Sequence, residues 1–301
     1  MSPLYFINNT TTMDFLKKNT SVLCCLFIVW MVPTLGKTQD DSWRERMKEL
    51  IYTPRYFGPN AFPLPELRSG RIGAFWELEV RGEYHEYQGD RTKDIYTRAF
   101  VPIAEGRAGL EVSYVLYEYY YMTQATVEER HAAGPSWKNG AHGDVIVSFF
   151  IQALQNEKWI DIMFEGTLKT ASGNRLADAR YTDAASYWFA AHAGRYLYHH
   201  NNAYIRLQGF AGFYCWMTND LVHRQNDAIT SSAGLSGSLK GFTIDANFVN
   251  LYGYKNNGDR PVQLRTRLNY EYRKNILSVR FKHGLKDALY NSYSLAYIRR
   301  F

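Results

Sequence analysis

The residues best able to do chemistry in this chain are charged side chains spaced two apart along stretches of alternating polarity. Glu77, Glu79, Arg81 and Glu83 alternate with Trp76, Leu78 and Val80, and on an extended backbone residues two apart share one face. Asp94, Arg98, Glu111, Asp144, Asp161 and Glu165 continue that polar face with few bases, and Arg206 follows near the middle of the chain. Arg265, Arg267, Arg280, Lys282 and Arg300 make its last part basic. Facing walls of opposite sign do one of two things. Packed together, they neutralise each other as an ion-paired core. Held apart by water, they set up a transverse field that selects small charged or polar solutes.

Catalytic arrangements are weaker. Ser172 in Thr170-Ala-Ser-Gly-Asn174 has His142, His192 and His283 as conceivable bases. There is no Gly-x-Ser-x-Gly, and Ser-Gly-Asn is equally good turn chemistry. His199 and His200 fall in an expected tight turn. Asp178, Asp183, Asp220 and Asp227 lack the spacing of a calcium loop. The sequence therefore nominates no catalytic residue, cofactor or metal ligand, and its candidate site is the charged face itself. With no dense Lys/Arg block and no zinc-finger, RNP or helix-turn-helix signature, nucleic-acid binding is not expected.

The elements that position this face are strands. Apolar residues recur at period two in Ile72–Val80, Ile95–Ile103, Leu110–Leu116, Val145–Ile151 and Ile160–Leu168. Ala203–Cys215 repeats the pattern, as do segments starting near Ile229, Phe242, Val262, Ile276 and Ser292. The segment 187–198 admits two registers, one placing His192 and the other Arg195 toward the apolar side. Many segments reach about ten residues, near the roughly 9–11 of a tilted membrane strand and above the about 5 or 6 usual in soluble sheets. Short joints near 104–107, 155–158, 199–202, 240–241 and 273–275 alternate with generally longer ones, above all 121–143, 172–186 and 217–228. Tyr84, Tyr87, Tyr117, Tyr119, Tyr214, Trp216, Tyr252 and Tyr254 gather toward the long joints. Trp159, Tyr196, Tyr198, Tyr204, Tyr270, Tyr272 and Phe301 gather toward the short ones. Two such belts suit two lipid–water interfaces. The expected fold is all-β, a transmembrane antiparallel up-and-down barrel of about twelve strands.

The N-terminal part differs. The apolar run Val22–Val32 follows Lys17 and Lys18 and precedes Thr34-Leu35-Gly36, so residues 1–36 read as a signal peptide, with Met13 a possible initiator. Cys24 and Cys25 would leave with it, and Cys215 has no partner for a disulfide. Residues 37–70 combine a short amphipathic helix with a Pro-rich stretch and read as a periplasmic lead-in or a plug. Residues 71–301 are the barrel. The formal charge of the full chain is +6, suited to anionic lipid or solutes.

Through this signal, this strand grammar and the closing Ser292-Tyr-Ser-Leu-Ala-Tyr-Ile-Arg-Arg-Phe301, the chain resembles Gram-negative outer-membrane β-barrel proteins, porin-like and of Bacteroidota style. The resemblance implies contact with outer-membrane lipid and lipopolysaccharide and barrel-assembly machinery reading Phe301, but no particular activity. An even strand count returns both termini to the periplasm. The two-signed lining, in a barrel between small filled ones of about 8 strands and wide porins of about 16–18, points to a narrow pore for small hydrophilic or charged solutes. Two alternatives stay open: a lipid hydrolase of the phospholipase or lipid A deacylase kind, and a filled barrel that adheres or assembles through its extracellular loops.

Overall fold

The computed structural model describes residues 47–134, 138–218 and 224–301. Within them lie thirteen strands: β1 (Glu77–Tyr87), β2 (Asp90–Ile103), β3 (Ala108–Met122), β4 (Lys138–Ala141), β5 (Ile146–Leu154), β6 (Asp161–Lys169), β7 (Ser186–His200), β8 (Ala203–Met217), β9 (Gln225–Leu239), β10 (Phe242–Gly253), β11 (Val262–Tyr272), β12 (Asn275–Lys286) and β13 (Asn291–Arg300). Every pairing is antiparallel, and the order around the sheet follows the order along the chain. β1 pairs with β2 on one side and β13 on the other, which closes the sheet. The short β4 and the longer β5 pair with opposite ends of β3 and count as one broken stave, so the barrel has twelve.

Alternation decides which face is wet. Leu78, Val80, Leu207, Ile229, Val279 and Leu295 point outward and are 45–67% exposed, while Glu79, Arg81, Glu83, Glu111 and Glu165 point inward and are buried. An apolar exterior with a polar interior inverts the soluble arrangement and fits a hydrocarbon surround. Short turns behave as expected: Lys240 and Gly241 both take positive φ, at 50° and 87°, in a two-residue hairpin that only a mirror-image turn can close.

Three departures from strict alternation carry information. At Leu116 β3 holds one extra residue, so the inward positions shift from Glu111, Ser113 and Val115 to Glu118, Tyr120 and Met122. In β7 the inward set is Trp188, Ala190, His192 and Gly194, which leaves Arg195 exposed and settles the ambiguous register. Trp216 and Tyr214 are buried inside rather than standing in the outer aromatic belt, and Tyr196 likewise turns its ring inward to face Arg206.

The first strand begins at Glu77 and not at Arg71, because residues 50–72 are threaded through the barrel and 73–76 turn back, exposed, at its rim. At the long-loop rim Trp216 Nε1 donates to Tyr52 O at 3.0 Å, and Arg55 N donates to Gly258 O at 3.1 Å. At the short-turn rim Arg71 Nη1 reaches Glu157 at 3.1 Å, and Phe301 N donates to Trp76 O at 3.1 Å. The two ends of the barrel proper thus share a rim, as the even stave count requires. The described part of the strap runs from the opposite rim, where Leu50–Phe57 sits. The expected signal peptide, residues 1–36, and the first part of the expected lead-in, residues 37–46, lie outside the described residues.

Candidate functional site

The lumen is divided by this threaded strap, residues 50–72. On one side the strap is apolar: Leu50, Tyr52, Phe57, Ala61, Phe62, Leu64 and Leu67 pack against Trp188, Phe210, Tyr214, Trp216, Val249 and Leu251 from β7, β8 and β10. Small wall residues allow the approach. A Cβ on Gly194 would lie 2.1 Å from Ser69 O, so no side chain fits there while the strap is in place. Burial of this apolar surface favours the strap's seat at about 25 cal/mol per Å².

On its other side the strap meets the charged face. Arg68 forms a bidentate pair with Glu111 at 2.6 and 3.1 Å, and its backbone N–H donates to His192 Nδ1 at 3.4 Å. That contact leaves the proton on His192 Nε2, which lies 2.7 Å from Glu165 Oε2. Asn60 Nδ2 donates to Asp94 and Glu118 at 2.8 and 2.9 Å. Arg265 donates to Pro65 O and Leu64 O at 3.1 and 3.3 Å and lies 3.5 Å from Glu66. Lower down, Asp161 Oδ2 accepts from both Arg71 and Arg206 at 2.6 and 2.5 Å.

The residues singled out from sequence fall into one network along the seam and a few outliers. Arg98 donates to Glu77, Glu79 and Glu111 at 2.7–2.9 Å. Arg81 donates to Glu79 and Glu83 at 3.1 and 3.0 Å with Tyr96 beneath it. Arg280 sits 2.8 Å from Glu79, and Lys282 lies 4.0 Å from Glu83. Glu77 also accepts from Arg300 at 2.9 Å. Asp144 and Lys169 make a separate buried pair at 2.7 Å near the loop rim. Arg267, 39% exposed, pairs with the buried Asp245 at 2.9 Å.

The acidic and basic walls therefore meet at the seam, and between the charged face and the strap remains a cavity of about 120 Å³. Glu83, His85, Glu111, Arg265 and Lys282 are among its lining residues. That is room for a small cluster of waters.

Above the cavity the loops fold inward on one carboxylate. Asp90 Oδ2 accepts from Arg130, Arg180 and Tyr290 at 2.6–2.7 Å, which joins the β3–β4, β6–β7 and β12–β13 connections over the mouth. Arg180 also donates to Glu118 at 2.8 Å. From β3, Tyr120 O–H donates to Asp178 in the β6–β7 connection, whose carboxyl burial pushes above its usual range despite that bond.

Sequence reasoning did not single out Asp90, Glu118 and Asn60. Asp90 shares the parity of Asp94 and was within reach; Glu118 was hidden by the bulge at Leu116. Ser172 Oγ accepts from Val145 N at 2.9 Å and lies 2.9 Å from Thr170 Oγ1, contacts that close a turn.

No protein-family model matches the chain, and no curated protein matches it in sequence. Solved structures do. An outer-membrane channel from Pseudomonas putida F1 is 13% identical over 80% of this chain and 97% of its own, with a TM-score of 0.52. The fold is that of an outer-membrane β-barrel. Lower on the scale stand the KdgM porin, 11% identical over 74% of this chain and 99% of its own at a TM-score of 0.46, and the transport unit of the autotransporter AIDA-I from Escherichia coli. The latter is 11% identical over 86% of this chain and 97% of its own, at 0.42.

Proposed function

We propose that this outer-membrane-type barrel is a channel for small hydrophilic or charged solutes, and that the strap controls passage through it. The observation that carries this reading is the asymmetry of the lumen. One half is sealed by an apolar seam, while the other keeps a two-signed wall facing a cavity. Charged walls at close quarters favour polar solutes over apolar ones, and displacing residues 50–72 would join the cavity to both rims.

In this reading the apolar exterior lies in the outer membrane, with the short turns and Phe301 toward the periplasm. The long loops and the start of the strap then face outward. Lipid and lipopolysaccharide would contact the outer band, and the assembly machinery would read the C-terminal strand.

Single-channel recording in planar bilayers tests the proposal. The full chain is expected to give rare or small openings, and a chain lacking residues 47–70 large and sustained ones. Absence of conductance steps from both would overturn it.

A further inference from the structure

A cluster of donors on the charged wall goes beyond the channel reading. Glu83 and His85 are two apart on β1 and share its inward face, and Asp94 on β2 stands directly opposite Glu83 in the pairing register. Sheet geometry thus brings an imidazole and two carboxylates together, with one donor atom from each lying within 4.8 Å of the others. Their side chains are 0–2% exposed.

Two of their oxygens are left over. Among the described residues Glu83 Oε1 and Asp94 Oδ1 are buried without a hydrogen-bond partner, although an unmatched carboxylate oxygen away from water is costly. The other oxygens are taken: Glu83 Oε2 accepts from Arg81 at 3.0 Å, and Asp94 Oδ2 accepts from Asn60 at 2.8 Å and faces His85 Nε2 at 2.8 Å. Lys282 Nζ, 4.0 Å from Glu83 Oε1, is too far to satisfy it. His85 Nδ1 lies 2.7 Å from Ser292 Oγ, the kind of second contact that orients a ligating imidazole.

We propose that Glu83, His85 and Asp94 form a binding site for a divalent transition-metal cation on the lumenal wall. One nitrogen and two carboxylate donors suit zinc, manganese or ferrous iron better than calcium, which takes oxygen alone. Donors bonded at about 2.0–2.2 Å stand up to about 4 Å apart, so the cluster closes on an ion by contracting about 1 Å. Glu83 and His85 also line the cavity, so an ion held there would face its interior.

The test uses the full folded chain, stripped with chelator and titrated with Zn²⁺ by calorimetry and with Mn²⁺ by electron paramagnetic resonance. One saturable site per chain is expected, weakened at least roughly 100-fold in His85→Gln and in Asp94→Asn, and about 10-fold in Ser292→Ala. His283→Gln should bind as the unsubstituted chain does. Should a variant fail to fold, the unsubstituted chain decides: bound Mn²⁺ must show coupling to an imidazole nitrogen. No saturable binding, no such coupling, or binding that survives both His85→Gln and Asp94→Asn overturns the proposal. None of these readouts depends on conductance, so the site and the channel reading stand or fall separately.

Discussion

Asp90 shows how much can hang on one carboxylate. It is fully buried, and two guanidinium groups and a tyrosine hydroxyl converge on the same oxygen. Removing a partner from such a group leaves a buried charge without compensation, which costs more than the pair itself contributes. Arg180→Ala takes from Asp90 one of its two guanidinium partners and from Glu118 the guanidinium bonded to it. The substitution is expected to destabilise the folded barrel by about 3–5 kcal/mol, seen as a lower midpoint of urea unfolding in detergent. Arg267→Ala, by contrast, removes a guanidinium that water already reaches, and should lower that midpoint by less than Arg180→Ala does.

The strap and the wall behind it are the elements on which passage depends. Gly194 is the place to separate them, because the strap backbone occupies the space of its missing side chain. In Gly194→Val the strap is expected to be pushed off β7, so that added protease cleaves within residues 50–72 while the strands stay protected. Cleavage at the rate of the unsubstituted chain would show that the wall yields instead.

Much of this arrangement was legible in sequence: the strand positions, the short turns, and the segregation of Glu79 and Glu83 from Arg280 and Lys282 all follow from period-two patterning. The strap's path was not, because Leu50–Leu67 is apolar and Pro-rich and carries no periodicity that names its partner. Trp216 and Tyr214 posed the same difficulty: an inward aromatic ring and an outward one look alike at a strand end, and only the strap's presence decides the matter. The bulge at Leu116 likewise leaves no local mark, so Glu118 and Tyr120 could be placed only with β2 beside them.

At the scale of the whole molecule the apolar band is the commitment to a membrane. Val279 lies mid-strand on β12, 53% exposed and flanked by outward Leu268 and Leu295. Val279→Lys there is expected to cost about 2–4 kcal/mol of folding free energy in a bilayer, measured by reversible unfolding from liposomes. The same change on the inward face, at Ser278, would not meet lipid at all.

The strap also constrains how this protein can be born. Its chain runs from one rim to the other inside a sheet whose first and last strands are paired along their whole length. A finished ring would have to be threaded end-first by a segment bearing bulky Phe57, Phe62 and Arg68, past loops already drawn together on Asp90. Wrapping is the simpler route: the strands gather around the segment, and zipping β1 to β13 comes last. The strap is then a rod around which the cylinder is rolled, while the twelve staves set the circumference.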